Sequence, residues 1–98
     1  MAKSSIYKLS FNIDPKEHFF QIANTIGLDW TKLAATLDQS IDVDSIKDEE
    51  SGIFDQAMKF LKKWHKKNYP NVHVDQLQAA LRRIDRNDIA LAIKPTKT

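Results

Sequence analysis

Ser51–Asn68 reads SGIFDQAMKFLKKWHKKN, and this stretch decides the fold. With Ala57 at zero and about 100° per residue, Ile53, Phe54, Phe60, Leu61 and Trp64 fall within about 60° of it, and Met58 at about 100°. Lys59, Lys62, Lys63 and Lys66 fall between about 140° and 240°, the opposite side. The segment is therefore a helix that buries one side and presents ammonium groups on the other. Pro70 stops it soon after Asn68.

The same period recurs on both sides. Upstream, Asp14-Pro15-Lys16-Glu17 predicts a helix start, with Asp14 as cap, Pro15 at the first helical position and Glu17 closing a capping box. Phe19, Ile22, Ala23 and Ile26 follow at helical spacing, and Gly27 suits a left-handed stop. Asp29 is the expected cap of a second helix carrying Trp30, Leu33, Ala34 and Leu37. Asp42 or Asp44 opens a short third helix around Ser45–Asp48, with Ile41 and Ile46 inward. Downstream, Val74, Leu77, Ala80, Leu81 and Ile84 form a fifth stripe. Asp85 or Asp88 opens a sixth with Ile89, Ala92 and Ile93. None of these stripes is large enough to fold alone, so they must share one core. The expected fold is all-α, a six-helix antiparallel bundle over residues 14–93. An extended lead-in precedes it at residues 1–13, where Tyr7, Leu9, Phe11 and Ile13 alternate, and a frayed tail follows at 94–98.

Composition agrees. The chain has 98 residues, enough for one domain, and only 2 Gly and 3 Pro, too few turn residues for a sandwich or barrel. It has no Cys, which excludes a disulfide scaffold, a Cys-ligated zinc module and a thiol nucleophile. No apolar run is long enough for a membrane span, and no secretory leader is expected. A cytoplasmic location and excision from a longer chain fit these features.

Net charge is only +2, but it is unevenly distributed. Residues 29–56 hold Asp29, Asp38, Asp42, Asp44, Asp48, Glu49, Glu50 and Asp55 against Lys32 and Lys47. Residues 57–74 hold Lys59, Lys62, Lys63, Lys66 and Lys67 and no acid. Segregated patches of this kind steer a partner of complementary charge more than they stabilise the fold.

Taken in order, these residues resemble the death domain family, in its adaptor type. Asp29-Trp30-x-x-Leu33-Ala34-x-x-Leu37 is similar to the family's second helix, and Val43-x-x-Ile46 to its short acidic third. Gln56-Ala57 through Leu61-x-x-Trp64 resembles the fourth. Leu77-x-x-Ala80-Leu81-x-x-Ile84-x-Arg86-x-Asp88-x-Ala90 resembles the fifth and sixth. Ile26-Gly27-Leu28-Asp29-Trp30 and Asp44-Ser45-Ile46-Lys47-Asp48 carry the adaptor flavour.

The resemblance implies a Greek-key helical topology and a non-catalytic module that binds other death domains. Such modules assemble oligomeric complexes in apoptotic or innate-immune signalling, with no cofactor, metal or small-molecule substrate. Carried onto this sequence, a first contact sets Lys59, Lys62 and Lys63 against a neighbour's Asp38, Asp42 and Asp44. A second sets Lys66, Lys67 and Tyr69 against Asp85 and Asp88 at the helix 5–6 corner, where Arg82, Arg83 and Arg86 mix the charge. A third uses Asp48, Glu49 and Glu50.

Rival chemistries leave weaker traces. The run Lys62-Lys63-Trp64-His65-Lys66-Lys67 also reads as a basic helix for nucleic acid or anionic lipid. Trp64, however, falls on the apolar side of the wheel, and no recognition-helix motif or aromatic platform accompanies it. His18, His65 and His73 lack metal-ligand spacing. The acids of 42–50 are out of register for a calcium loop, and no phosphate loop, nucleophile elbow or HExxH motif occurs.

Overall fold

The computed structural model describes residues 14–93. The extended lead-in and the tail expected from the sequence lie outside them. Six α-helices occur among the described residues: α1 (Phe19–Ile26), α2 (Trp30–Leu37), α3 (Val43–Glu49), α4 (Ile53–Asn68), α5 (Val74–Arg83) and α6 (Asn87–Ala92). Short 3-10 turns, Pro15–His18 and Gly27–Asp29, lead into α1 and α2.

Local chemistry sets most boundaries. The Asp14 carboxylate accepts a hydrogen bond from the Lys16 N–H at 3.0 Å, and Pro15 follows it at the first position of the turn. Gly27 adopts φ +60, a backbone region costly for any residue with a Cβ, and redirects the chain between α1 and α2. Asp42 caps α3 by accepting from the Ser45 N–H at 3.2 Å. The His73 N–H donates to Gln76 Oε1 at 2.8 Å at the start of α5.

Several expected starts differ. Asp29 makes no capping bond, because its carboxylate is drawn to Arg86. Gly52, not Ser51, precedes α4. Arg86 precedes α6, with Asp88 in its first turn, and Asp85 takes φ +64 at the corner before it. On α6 the buried residues are Ile89 and Ala90, followed by Ile93, while Ala92 is exposed. A helix of six residues is set by its few contacts, and the Ala90 carbonyl is held by Gln78 Nε2 at 3.0 Å.

Helices distant in sequence pack together, α1 against α4 and α6 and α2 against α5, while the consecutive pairs α3–α4 and α5–α6 also meet. The described elements are all helical, and the long-range pairings interleave them rather than leave a simple up-and-down bundle. Trp30, Phe60, Ile22, Ile26, Leu33, Leu61, Leu77, Leu81 and Ile89 are all but sealed from solvent. Burying each Leu or Phe contributes about 2–3 kcal/mol against the entropy of ordering the chain. Trp64 is also buried and meets Phe19 edge-on at 6.4 Å.

One polar relay crosses this interior. Trp30 Nε1 donates to Gln56 Oε1 at 3.1 Å, and Gln56 Nε2 donates to the Glu50 carbonyl at 2.9 Å. It satisfies a buried indole N–H and links α2, the α3–α4 connection and α4.

Candidate protein-interaction surface

The α4 face opposite the core is basic, as its periodicity dictates. Lys62, Lys63 and Lys66 are exposed and have no ion-pair partner among the described residues. With Glu50, Asp55, Met58 and Lys59 they line a shallow channel of about 400 Å³. The half-buried Met58 gives this channel an apolar strip beside the ammonium groups.

The other two expected lysines of α4 are engaged within the chain. Lys59 Nζ lies 3.0 Å from Glu49 Oε1 and 3.3 Å from Glu50 Oε2, tying α4 to the end of α3. Glu49 is held below its usual carboxylate range chiefly by the hydrogen bond from Lys59, and Lys59 is raised by the same bond. Lys67 Nζ lies 3.3 Å from Asp38, and Asn68 Nδ2 also donates to Asp38 at 3.3 Å. Asp38 is pushed down to about 2, first by the Ser40 hydroxyl and then by Asn68 and Lys67, against the opposing effect of burial. Two residues expected on different contact surfaces thus meet each other in one chain.

The acidic side contracts accordingly to Asp42, Asp44 and Asp48, all exposed. Asp42 and Asp44 edge a groove of about 280 Å³ between α2 and α3, floored by Ala34, Ile41 and Val43. At the α5–α6 corner Arg82, Arg83 and Asp85 are exposed. Arg86 and Asp88 bind each other, with Arg86 Nε 3.1 Å from Asp88 Oδ1. Their hydrogen bond is the leading cause both of the raised Arg86 and of the lowered Asp88. Tyr69 is exposed and leans on the His65 ring at 5.7 Å.

Sequence reasoning missed three features. Arg86 points back at α1, Gln56 is a buried relay, and Lys16 stands beside the end of α4. Nothing in the periodicity marks them, because each acts on a residue of another element. Among the described residues no group of His, Asp or Glu is placed to hold a metal ion, and no helix is long and apolar enough to cross a membrane.

The described residues form a small all-α bundle with segregated charged grooves. Comparison with known proteins gives the family: residues 16–96 match the Death domain, and the chain belongs to that family. The resemblance to the death domain family seen in the sequence is therefore correct, and membership of that family makes the chain a protein–protein interaction module. The chain is also similar to ankyrin-3 of Mus musculus, Rattus norvegicus and Homo sapiens, at 33% identity over 75 residues in each case. Those matches cover 74% of this chain but only 4%, 3% and 2% of the respective relatives.

Proposed function

We propose that this death domain binds other death domains through unlike charged surfaces and so builds oligomeric signalling complexes. The α4 face of Lys62, Lys63 and Lys66 is the donor surface. The α2–α3 groove edged by Asp42 and Asp44, with Asp48 beyond it, is the acceptor on a neighbour. The observation that carries this reading is selective neutralisation. Lys59 and Lys67 are paired within the chain, while Lys62, Lys63 and Lys66 stay exposed without a partner among the described residues.

A surface that meets a different surface on a like molecule does not close on itself, so the contact propagates into rings or filaments. Charge sets encounter rate and partner choice, and the apolar strips at Met58 and Val43 add desolvated contact. Lys66 and Tyr69 against the Arg82, Arg83 and Asp85 corner form a second contact, and Asp48 contributes to a third. A cytoplasmic adaptor role in apoptosis or innate immunity is the setting that suits such a module. The similarity to ankyrin-3 bears on the module and not on the pathway, since so little of those relatives is spanned.

The test is charge reversal at Lys62 and Lys63 to Glu, read by pull-down of a candidate death domain and by light scattering. Loss of binding with an unchanged melting curve supports the reading, because exposed lysines hold little stability. Restoration by Asp44→Lys on the opposite molecule identifies the paired surfaces. Undiminished binding by the double variant overturns it.

A further inference from the structure

The basic end of α4 holds a second concavity. Lys62, His65 and Lys66 lie along one side of the last turns of α4, Tyr69 follows directly after the helix, and Lys16 reaches in from the Pro15–His18 turn. Together they line a groove of about 520 Å³. Lys62 and Lys66 are one helical turn apart, so their stems stand about 6 Å from each other. Lys16 converges on them from sequence fifty residues away, which only the tertiary fold arranges.

The groove wall is preorganised. His65 is buried, its Nε2 is 3.2 Å from Asp14 Oδ1, and its ring is set edge-on against Phe19 at 6.0 Å. Tyr69 stacks at a tilt over His65, with its phenol exposed. Asp14 is the carboxylate that touches this lining, and its Oδ1 already contacts both His65 Nε2 and the Lys16 N–H. Three lysines against one engaged carboxylate leave the concavity strongly positive, and a concave wall focuses that field.

We infer that this groove is a binding site for a small polyanion bearing phosphomonoester groups, of the inositol phosphate class, either free or as a lipid headgroup. A phosphomonoester carries about two negative charges and three acceptor oxygens, which match convergent ammonium donors and a phenol hydroxyl. Lysines serve as point-charge partners for such groups. A carboxylate offers half the charge to the same donors. The groove shares Lys62, Lys66 and Tyr69 with the proposed partner surface, but Lys16 belongs to the groove alone and Lys63 to the partner surface alone, so variants at these two residues separate the two readings.

The experiment titrates the labelled protein with inositol hexakisphosphate at low ionic strength and follows amide shifts by NMR. Saturable shifts centred on Lys16, Lys62, Lys66 and Tyr69 are expected. Lys16→Ser and Lys63→Ser each remove one positive charge, so diffuse attraction would fall equally in both. The site instead requires Lys16→Ser to weaken binding about tenfold and Lys63→Ser to leave it unchanged. Equal losses in the two variants, or shifts that never saturate, overturn the assignment. Vesicles of phosphatidylcholine with phosphatidylinositol bisphosphate separate the sources, with phosphatidylserine vesicles of matched charge as control. Binding to the phosphoinositide vesicles beyond the control, sensitive to Lys16→Ser, supports the headgroup as source. Binding to the free polyphosphate alone supports the soluble one, and equal binding to both vesicles without the free ligand refutes the site.

Discussion

Arg86 Nη1 lies 3.1 Å from Asp29 Oδ2, joining residues 57 positions apart. The same guanidinium donates to the Ile26 carbonyl at 3.0 Å and to the Thr25 carbonyl at 3.2 Å. One side chain thus satisfies carbonyls at the exposed end of α1, holds the turn into α2 and fixes the entry to α6. Cations are favoured at helix C-termini because the last carbonyls lack intrahelical partners.

Arg86→Ala should therefore cost about 2 kcal/mol in urea unfolding, the range of a lost charge-assisted bond with acceptors left unpaired. Arg86→Lys should recover only part of it, since one ammonium cannot replace a planar fork. A double-mutant cycle with Asp29→Ala should show coupling, and additive effects would mean the pair is a solvated coincidence.

Asp38 gives a pH signature. Its folded value of about 2 lies below the unfolded reference of 3.8, so the stability it contributes is present in full above that reference. That contribution is lost as pH falls through the folded value. Asp38→Asn should destabilise the domain by about 1–2 kcal/mol at neutral pH. The gap between variant and parent should close as the acid limb approaches pH 2. A gap independent of pH would show that the loss is one of shape and not of charge.

The buried relay makes a different prediction. Gln56→Ala leaves the Trp30 indole N–H and the Glu50 carbonyl without their partner, and should cost about 1–3 kcal/mol. Gln56→Glu should be worse at neutral pH than at acid pH, because only the protonated carboxyl can donate to the carbonyl. Thermal melts across the pH range test both statements.

Leu33 and Leu61 are each 1% exposed, one on α2 and one on α4. Truncating either to Ala should cost about 2–5 kcal/mol, according to how far the cavity collapses. A loss near that of an ordinary surface substitution, about half a kcal/mol, would refute the helical register.

Much of the fold is legible in the sequence because a helix repeats its own geometry. The wheel over Ser51–Asn68 placed Trp64 inside and Lys62, Lys63 and Lys66 outside, and both are found so. Where an element is too short to repeat, the reading slips. The six residues of α6 gave Ala92 in place of Ala90, and Asp29 looked like a cap until Arg86 was there to claim it.

The charged surface divides along the same line. Period and composition determined that lysines and carboxylates would face solvent, on which helices, and in opposing blocks. They could not say which charges cancel, since a period fixes an angle around one axis and carries no distance to another helix. Lys67 finds Asp38 across 29 positions and Arg86 finds Asp29 across 57, and only the tertiary packing brings them within reach. The tertiary structure therefore decided which cations remain available to a partner, because an ion pair needs a few ångströms of separation that sequence spacing does not encode.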